Sequence, residues 1–225
     1  MAGEQLPQNV KDSLKNATFN NVALLMKTSE SHVVKRGRTR NHSDYRREIG
    51  EIFDILPKTI GIREKYFLGG FVEGEGSLNV SLKKLRTSRV GVLLDPEFSI
   101  AQHVNSIQLL YLALAFFQTG RLRYKSGSNA TLVIVIDNRE DLKTKIVPFY
   151  KKYVNSIGSA VKTKRLHYFE RILLYLEEQD HRDVNVFVHD ILPLWDSMRM
   201  QKGQSNQSFA SLKDAQDYVL SHSRE

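Results

Sequence analysis

This 225-residue chain has 33 Lys and Arg against 25 Asp and Glu, a net charge of +8 that draws polyanions, nucleic acid first among them. It has no cysteine, which excludes disulfides, thiol catalysis and Cys-ligated zinc, and its seven histidines show neither HExxH spacing nor a tight cluster. There is no run of about 18 uncharged apolar residues and no apolar signal core, so we expect a soluble protein with no membrane partner.

Residues 1–63 mix short helical patterns, around Val10 to Leu14 and Tyr45 to Leu56, with a run from Lys35 to Arg47 that holds six Lys or Arg against one Asp. Such a run, with Arg38 and Arg40 at its centre, reads either as a solvated segment or as a phosphate-binding arm. From Ile62 the pattern predicts a helix to about Gly76. Ser77 to Lys83 then alternates strictly, a strand whose Leu78, Val80 and Leu82 face a core while Ser77, Asn79, Ser81 and Lys83 stay wet. The alternation slips at Lys84-Leu85-Arg86, which predicts a turn or bulge into a second strand from Val90 to Gln102, with an irregularity at Pro96. Asn105 is placed to cap a helix through Leu109 to Phe117 that Gly120 ends. Arg121 to Lys125 and Thr131 to Ile136 read as two more strands joined at Gly127-Ser128-Asn129, the first with three cations on one face. Helices follow over Arg139 to Lys145, Pro148 to Ile157, Lys164 to Leu176 and Asn185 to Met200. A last one starts at Ser211, where Ser211 and Asp214 resemble a capping box.

This order predicts an α+β fold with helices on one face of a mainly antiparallel sheet and the other face open. That open face is either an ordinary solvated surface or a nucleic-acid platform carrying Asn79, Ser81, Lys83, Arg121, Arg123 and Lys125. Antiparallel ribbons enter the DNA major groove, and a strand of about ten residues at about 3.3 Å each spans roughly ten base pairs.

Within the first predicted helix, Phe67 to Ser77 is an apolar segment punctuated by glycines and ending in two carboxylates. Gly70 and Gly74 share a helix face, so another backbone can approach there. Glu75 falls in the last turn, where the macrodipole disfavours an anion and a divalent cation would ease the cost. By pattern alone the segment also fits a helix running into a Gly-capped turn. Leu68 to Gly76 resembles the LAGLIDADG motif of homing endonucleases, and Gln102, Pro148-Phe149 and the Lys-rich run 162–165 follow in that family's order. The resemblance spans about residues 64–200 and is strongest to single-motif enzymes encoded in organellar ribosomal RNA introns.

The resemblance implies an N-terminal extension with a basic arm over 1–63, an endonuclease domain over 64–200 and a helical tail over 201–225 packed on the core. The domain would have the αββαββα core of the family, with a saddle-shaped antiparallel sheet. A single motif implies a homodimer, with Leu68, Gly70, Phe71 and Gly74 at the helix–helix interface and Glu73 in a structural role. Glu75 would be the catalytic carboxylate and, with the carbonyl of Gly74, a ligand of Mg²⁺, for which Mn²⁺ could substitute. Gln102 would order water near the nucleophile, His103 lies beside it, and Lys164 or Lys162 would organise solvent and phosphate charge. Ser77, Asn79, Ser81, Lys83, Arg86, Arg121, Arg123 and Lys125, with Arg38 and Arg40, would hold double-stranded DNA; no small-molecule substrate is expected. The implied reaction is metal-dependent hydrolysis of one phosphodiester per strand of a long, roughly palindromic target, leaving short 3′ overhangs. The implied location is an organelle, a chloroplast if the gene lies in a chloroplast intron. Glu replaces the commoner Asp at both acidic positions, and Gly69 stands where Ala is usual. Two other readings share this fold, an RNA-binding intron maturase and a non-cleaving DNA-binding protein.

Overall fold

The glycine-punctuated segment folds as α1 (Ile62–Glu75), which passes directly into β1 (Gly76–Lys84). The computed structural model describes residues 60–103, 106–128, 130–156, 158–199 and 208–223. The helical fragments and basic arm expected before residue 60 lie outside these residues, as do Asn105 and Asn129. The chain then runs through β2 (Val92–His103), α2 (Ile107–Phe117), β3 (Arg121–Tyr124) and β4 (Thr131–Ile136). The four strands form one open antiparallel sheet in the order β1-β2-β4-β3. Helix, two strands, helix, two strands is the order the alternation pattern predicts. Among the described residues no helix is long and apolar enough to cross a membrane.

The chain divides into two compact units, and β2 contributes to both: its first residues, to Phe98, belong to one and its last, from Ser99, to the other. The first unit holds α1, the end of β2, α2, β3 and β4. Here α2 is apolar nearly all round, as a helix enclosed by packing must be, with Leu110, Tyr111, Ala113, Leu114, Ala115 and Phe117 buried. Burial holds the Tyr111 phenol above its ordinary range, so it stays neutral. The helix ends two residues earlier than a Gly120 stop requires. Gln118 itself takes the left-handed conformation, φ 52°, and its N–H closes on the Leu114 carbonyl at 3.0 Å. Gly120, at φ 96°, serves instead to lead the chain into β3 under β4: a Cβ there would stand 2.8 Å from Ile136 Cγ1. The β3–β4 connection follows the expected turn chemistry, with Gly127 at φ 75° and the Ser128 hydroxyl accepting from the backbone of Ala130 and Thr131.

The second unit holds β1, the start of β2 and the helices after Asp137. Leu78, Val80 and Leu82 are buried on β1, and Val92, Leu94, Pro96 and Phe98 on β2. Pro96 therefore does not break β2. Its ring sits in the core, and that burial, of order 1–2 kcal/mol, offsets the roughly 1 kcal/mol of one absent ladder hydrogen bond. The two helices expected on either side of Pro148 are one, α3 (residues 139–154), begun by Asn138, whose side chain accepts from Asp141 N. A π stretch, Leu142–Ile146, ends two residues before Pro148. The same relation recurs in α5 (residues 184–197), where Phe187–Ile191 ends two residues before Pro193. Proline has no N–H to give the carbonyl four residues back, and a widened turn re-registers the helix without breaking it. Between them α4 (Ala160–Glu177) starts at the Ser159 cap and buries Leu166, Phe169, Ile172, Leu173 and Leu176. The last helix, α6 (Leu212–His222), is capped reciprocally: Ser211 Oγ accepts from Asp214 N at 3.1 Å and Asp214 Oδ2 accepts from Ala210 N at 3.0 Å.

Candidate active site and nucleic-acid interface

Two faces of α1 differ sharply. Leu68 and Val72 are fully buried and Gly69 is buried with them, so this face packs inside its own chain. Leu68 therefore leaves the set of interface residues drawn from the motif. About 160° lie between positions 68 and 70 around a helix, which puts Leu68 opposite the exposed glycine. The outward face carries Ile62, Tyr66 and Phe67, 56%, 47% and 56% exposed, with exposed Gly70 and Gly74 and half-buried Phe71. A Cβ added at Gly70 or Gly74 would meet none of the described residues within 4 Å. Glycine in a helix costs roughly 0.5–1 kcal/mol against alanine, and nothing among the described residues recovers it at either place.

This face ends in Glu75, the last residue of α1, with exposed side chain and no cation in the last helical turn. Gly76 closes the helix by donating its N–H to the Val72 carbonyl. Glu73 is half-buried. Among the described residues no three His, Asp or Glu side chains come together to hold a metal ion. One carboxylate at the negative end of a helix dipole is a donor of the kind a hard divalent cation takes, but it is too few for a site. A second carboxylate from another chain and substrate phosphates would complete the set. Gln102 is in the same unit as Glu75, half-buried near the end of β2, its Oε1 accepting from His103 N at 2.8 Å. That bond fixes the amide so that its NH₂ stays available. Lys162 and Lys164 belong to the first turns of α4 in the other unit. Lys164 is exposed with Nζ 5.9 Å from the Tyr168 ring, whereas Lys162 is half-buried. Two residues apart on a helix, they cannot serve the same point.

On β1 the wet positions behave as expected, Asn79 and Lys83 exposed and Ser77 and Ser81 half-buried. Arg86 is exposed in the turn that follows. Arg121, Arg123 and Lys125 are also exposed. Arg121 stands opposite Val135 and Arg123 opposite Val133, so each arginine shares a sheet face with a buried valine and can lay its aliphatic stem there. Arg38 and Arg40 lie outside the described residues. The second strand adds two groups that a charge-based reading passes over. Asp95 and Glu97 alternate with the buried residues of β2, and Asp95 Oδ2 binds Lys83 Nζ at 2.6 Å. Carboxylates repel phosphates but accept from base edges such as the cytosine amino group, and a Lys–Asp pair offers both a donor and an acceptor. The period-2 run from Val92 to Ile100 was the signal for them.

With this geometry in hand, similarity to known proteins is informative. Residues 68–173 match the family model described as LAGLIDADG endonuclease. The chain is 44% identical over 222 residues to DNA endonuclease I-CeuI of Chlamydomonas moewusii, covering 99% of this chain and 95% of that protein. The solved structure of the group I intron-encoded homing endonuclease I-CeuI complexed with DNA superimposes with a TM-score of 0.74 at 43% identity, covering 97% of this chain and 99% of that one. The archaeal intron-encoded homing endonuclease I-Vdi141I, also complexed with DNA, gives a TM-score of 0.62 at 28% identity over 71% of this chain and 96% of its own. This chain belongs to the LAGLIDADG family of endonucleases.

Proposed function

We propose that the protein is an intron-homing endonuclease that works as a homodimer, each protomer holding one half of a long, roughly palindromic double-stranded DNA target. The observation that carries this reading is the outward face of α1, open at Gly70 and Gly74 with Tyr66 and Phe67 exposed beside them, ending in the exposed Glu75. A second α1 packed there by twofold symmetry fills the space above both glycines and brings two Glu75 carboxylates together. Phe67 and Phe71 flank the contact. Glu75 and the Gly74 carbonyl hold Mg²⁺, with Mn²⁺ as a substitute. What such a cation would supply there is positive charge, for the paired carboxylates and for the attacking and leaving oxygens of an in-line displacement. Gln102 directs its free amide N–H groups at the water that attacks. Lys164, with Lys162 as the alternative, offsets charge developing on the phosphate. Each protomer cuts one strand, leaving short 3′ overhangs. Asn79, Arg121, Arg123, Lys125 and the Lys83–Asp95 pair contact DNA, phosphate neutralisation supplying much of the affinity and base edges the selectivity. The resemblance to enzymes of organellar introns supports a location in an organelle.

The test is cleavage of a randomised duplex library in Mg²⁺, followed by recovery and sequencing of the cut molecules. Wild type should yield a two-half-site consensus, and Glu75→Gln or chelation of the metal should lower cleavage of that duplex at least about 10³-fold with binding retained. Binding without a break in the wild type would point to a non-cleaving DNA-binding protein.

A further inference from the structure

The turn between β1 and β2 lies against the segment after α4, and together they form a cavity of about 340 Å³ lined by Ser88, Arg89, Val90, His181 and Arg182. Every titratable side chain in that lining is basic. Both walls are built by backbone constraint. In the turn, Leu85 N donates to Gly91 O at 2.9 Å, Ser88 N to Leu85 O at 3.0 Å and Gly91 N to Ser88 O at 3.1 Å. Gly91 takes φ 72° with a would-be Cβ only 3.0 Å from His222 Cβ, so α6 presses the turn into place. Lys84, at the root of the turn, is held 4.7 Å from the Tyr218 ring and 5.1 Å from the Phe209 ring. On the other wall Gln179 takes φ 64°, and the short 3₁₀ turn Asp180–Arg182 follows, closed by Asp183 N donating to Asp180 O at 2.9 Å.

The acids nearest in sequence, Asp180 and Asp183, are not among the lining residues. Asp183 caps α5, its Oδ1 accepting from Asn185 N and Val186 N at 2.8 and 3.1 Å. Asp180 draws the His181 imidazole towards protonation, but Arg139 and Arg182 each act against it more strongly. Burial is the largest influence and, with those arginines, holds the imidazole below its ordinary pKa, although its contact with the Tyr175 carbonyl pulls the other way. The guanidiniums of Arg89 and Arg182 are exposed and make no ion pair with another described side chain. The two guanidiniums and the Ser88 hydroxyl in this lining are donors suited to the oxygens of a phosphodiester, which accepts bidentate arginine donors.

We propose that this cavity holds a backbone phosphate of target DNA beyond the stretch read by the sheet, clamping the outer end of each half-site. The position follows from the strand: β1 starts beside Glu75 and runs nine residues to Lys84, about 30 Å at about 3.3 Å per residue, or roughly eight to nine base pairs outward from the cut. The proposal rests on the endonuclease reading above.

The decisive measurement compares two duplexes carrying the selected target, one ending about 7 and one about 14 base pairs from its centre, for wild type, R89Q/R182Q and R89K/R182K. For the wild type the longer duplex should bind more tightly. R89Q/R182Q should lose roughly 10–100-fold affinity on the long duplex and little on the short one, with the salt slope on the long duplex falling by about 1–2. The lysine pair should restore most of the slope. Unchanged thermal midpoints show that the exposed substitutions leave the fold intact. A K151Q/R171Q control removes the same charge elsewhere and should affect both duplexes alike. Equal affinity of R89Q/R182Q and wild type for the long duplex, or an equal loss on both duplexes, would overturn the proposal. A wild type that cuts nothing overturns the endonuclease reading instead, which keeps the two failures apart.

Discussion

Helices α1 and α2 sit in the same unit and touch, yet they dispose of apolar surface in opposite ways. In α2 the apolar side chains disappear into the chain's own core, and no glycine interrupts them. In α1 only Leu68, Gly69 and Val72 do so, while Ile62, Tyr66 and Phe67 are exposed beside two glycines that no described neighbour requires. Isolated exposed apolar residues need no explanation, but a contiguous stripe on one helix face marks a surface made to be covered. The contrast assigns α2 to the folding of one chain and fits α1 to the proposed pairing of two.

That contrast can be broken most forcefully at Gly74. A leucine there projects into the space assigned to the second helix, and symmetry counts it twice. Overpacking of about 1–3 kcal/mol per site becomes about 2–6 kcal/mol per dimer, roughly 30-fold to over 10⁴-fold in the dimer dissociation constant. Sedimentation should show a monomer with native circular dichroism and no double-strand cleavage; a dimer of unchanged affinity would refute the assignment of this face. Leu110→Ala is the counterpart in α2. Its side chain is fully buried, so urea unfolding should report a loss of about 2–5 kcal/mol in chain stability. Dimer affinity of the folded fraction should hardly move. Phe67→Ala should reverse that pattern on a smaller scale, changing chain stability by within about 0.5 kcal/mol while weakening the dimer by about 1–3 kcal/mol. If Phe67→Ala instead destabilised the single chain by more than Leu110→Ala, the division of labour between the two helices would be wrong.

The sheet was legible because period-2 alternation is a local property: Leu78, Val80 and Leu82 declared the buried face of β1 without knowledge of anything else. Glu75 at the end of α1 was legible for the same reason, through the glycine that follows it. Leu68 was misplaced because the motif was read as a unit, whereas helical arithmetic separates it from Gly70 and Gly74. Gln118 taking the left-handed conformation was not legible, since that geometry is set by how α2 meets the next strand and glutamine rarely adopts it. Pro148 looked like a helix boundary because proline removes a donor. Whether a helix then breaks or widens depends on what the flanking turns bury, and here Leu142, Ile146, Phe149 and Tyr150 are all held in the core. The cavity of Ser88, Arg89, His181 and Arg182 joins segments remote in sequence, and no local pattern encodes it.

The smallest change sharpens the contrast most, because its sign should differ between one chain and two. Gly70→Ala adds a methyl group where nothing lies within 4 Å, in the middle of a helix. In a Gly74→Leu background that keeps the protein monomeric, the alanine should raise chain stability by about 0.5–1 kcal/mol, since glycine carries the larger entropy loss on entering a helix. In the otherwise native protein the same methyl group would stand where the proposed partner's backbone approaches, and dimer affinity should fall by a comparable amount per protomer. Urea midpoints of the monomeric pair and sedimentation of the dimeric pair measure the two signs separately. A loss of stability in the monomer would mean that the glycine already serves a contact within its own chain. A gain in both measurements would mean that no second helix comes close to residue 70.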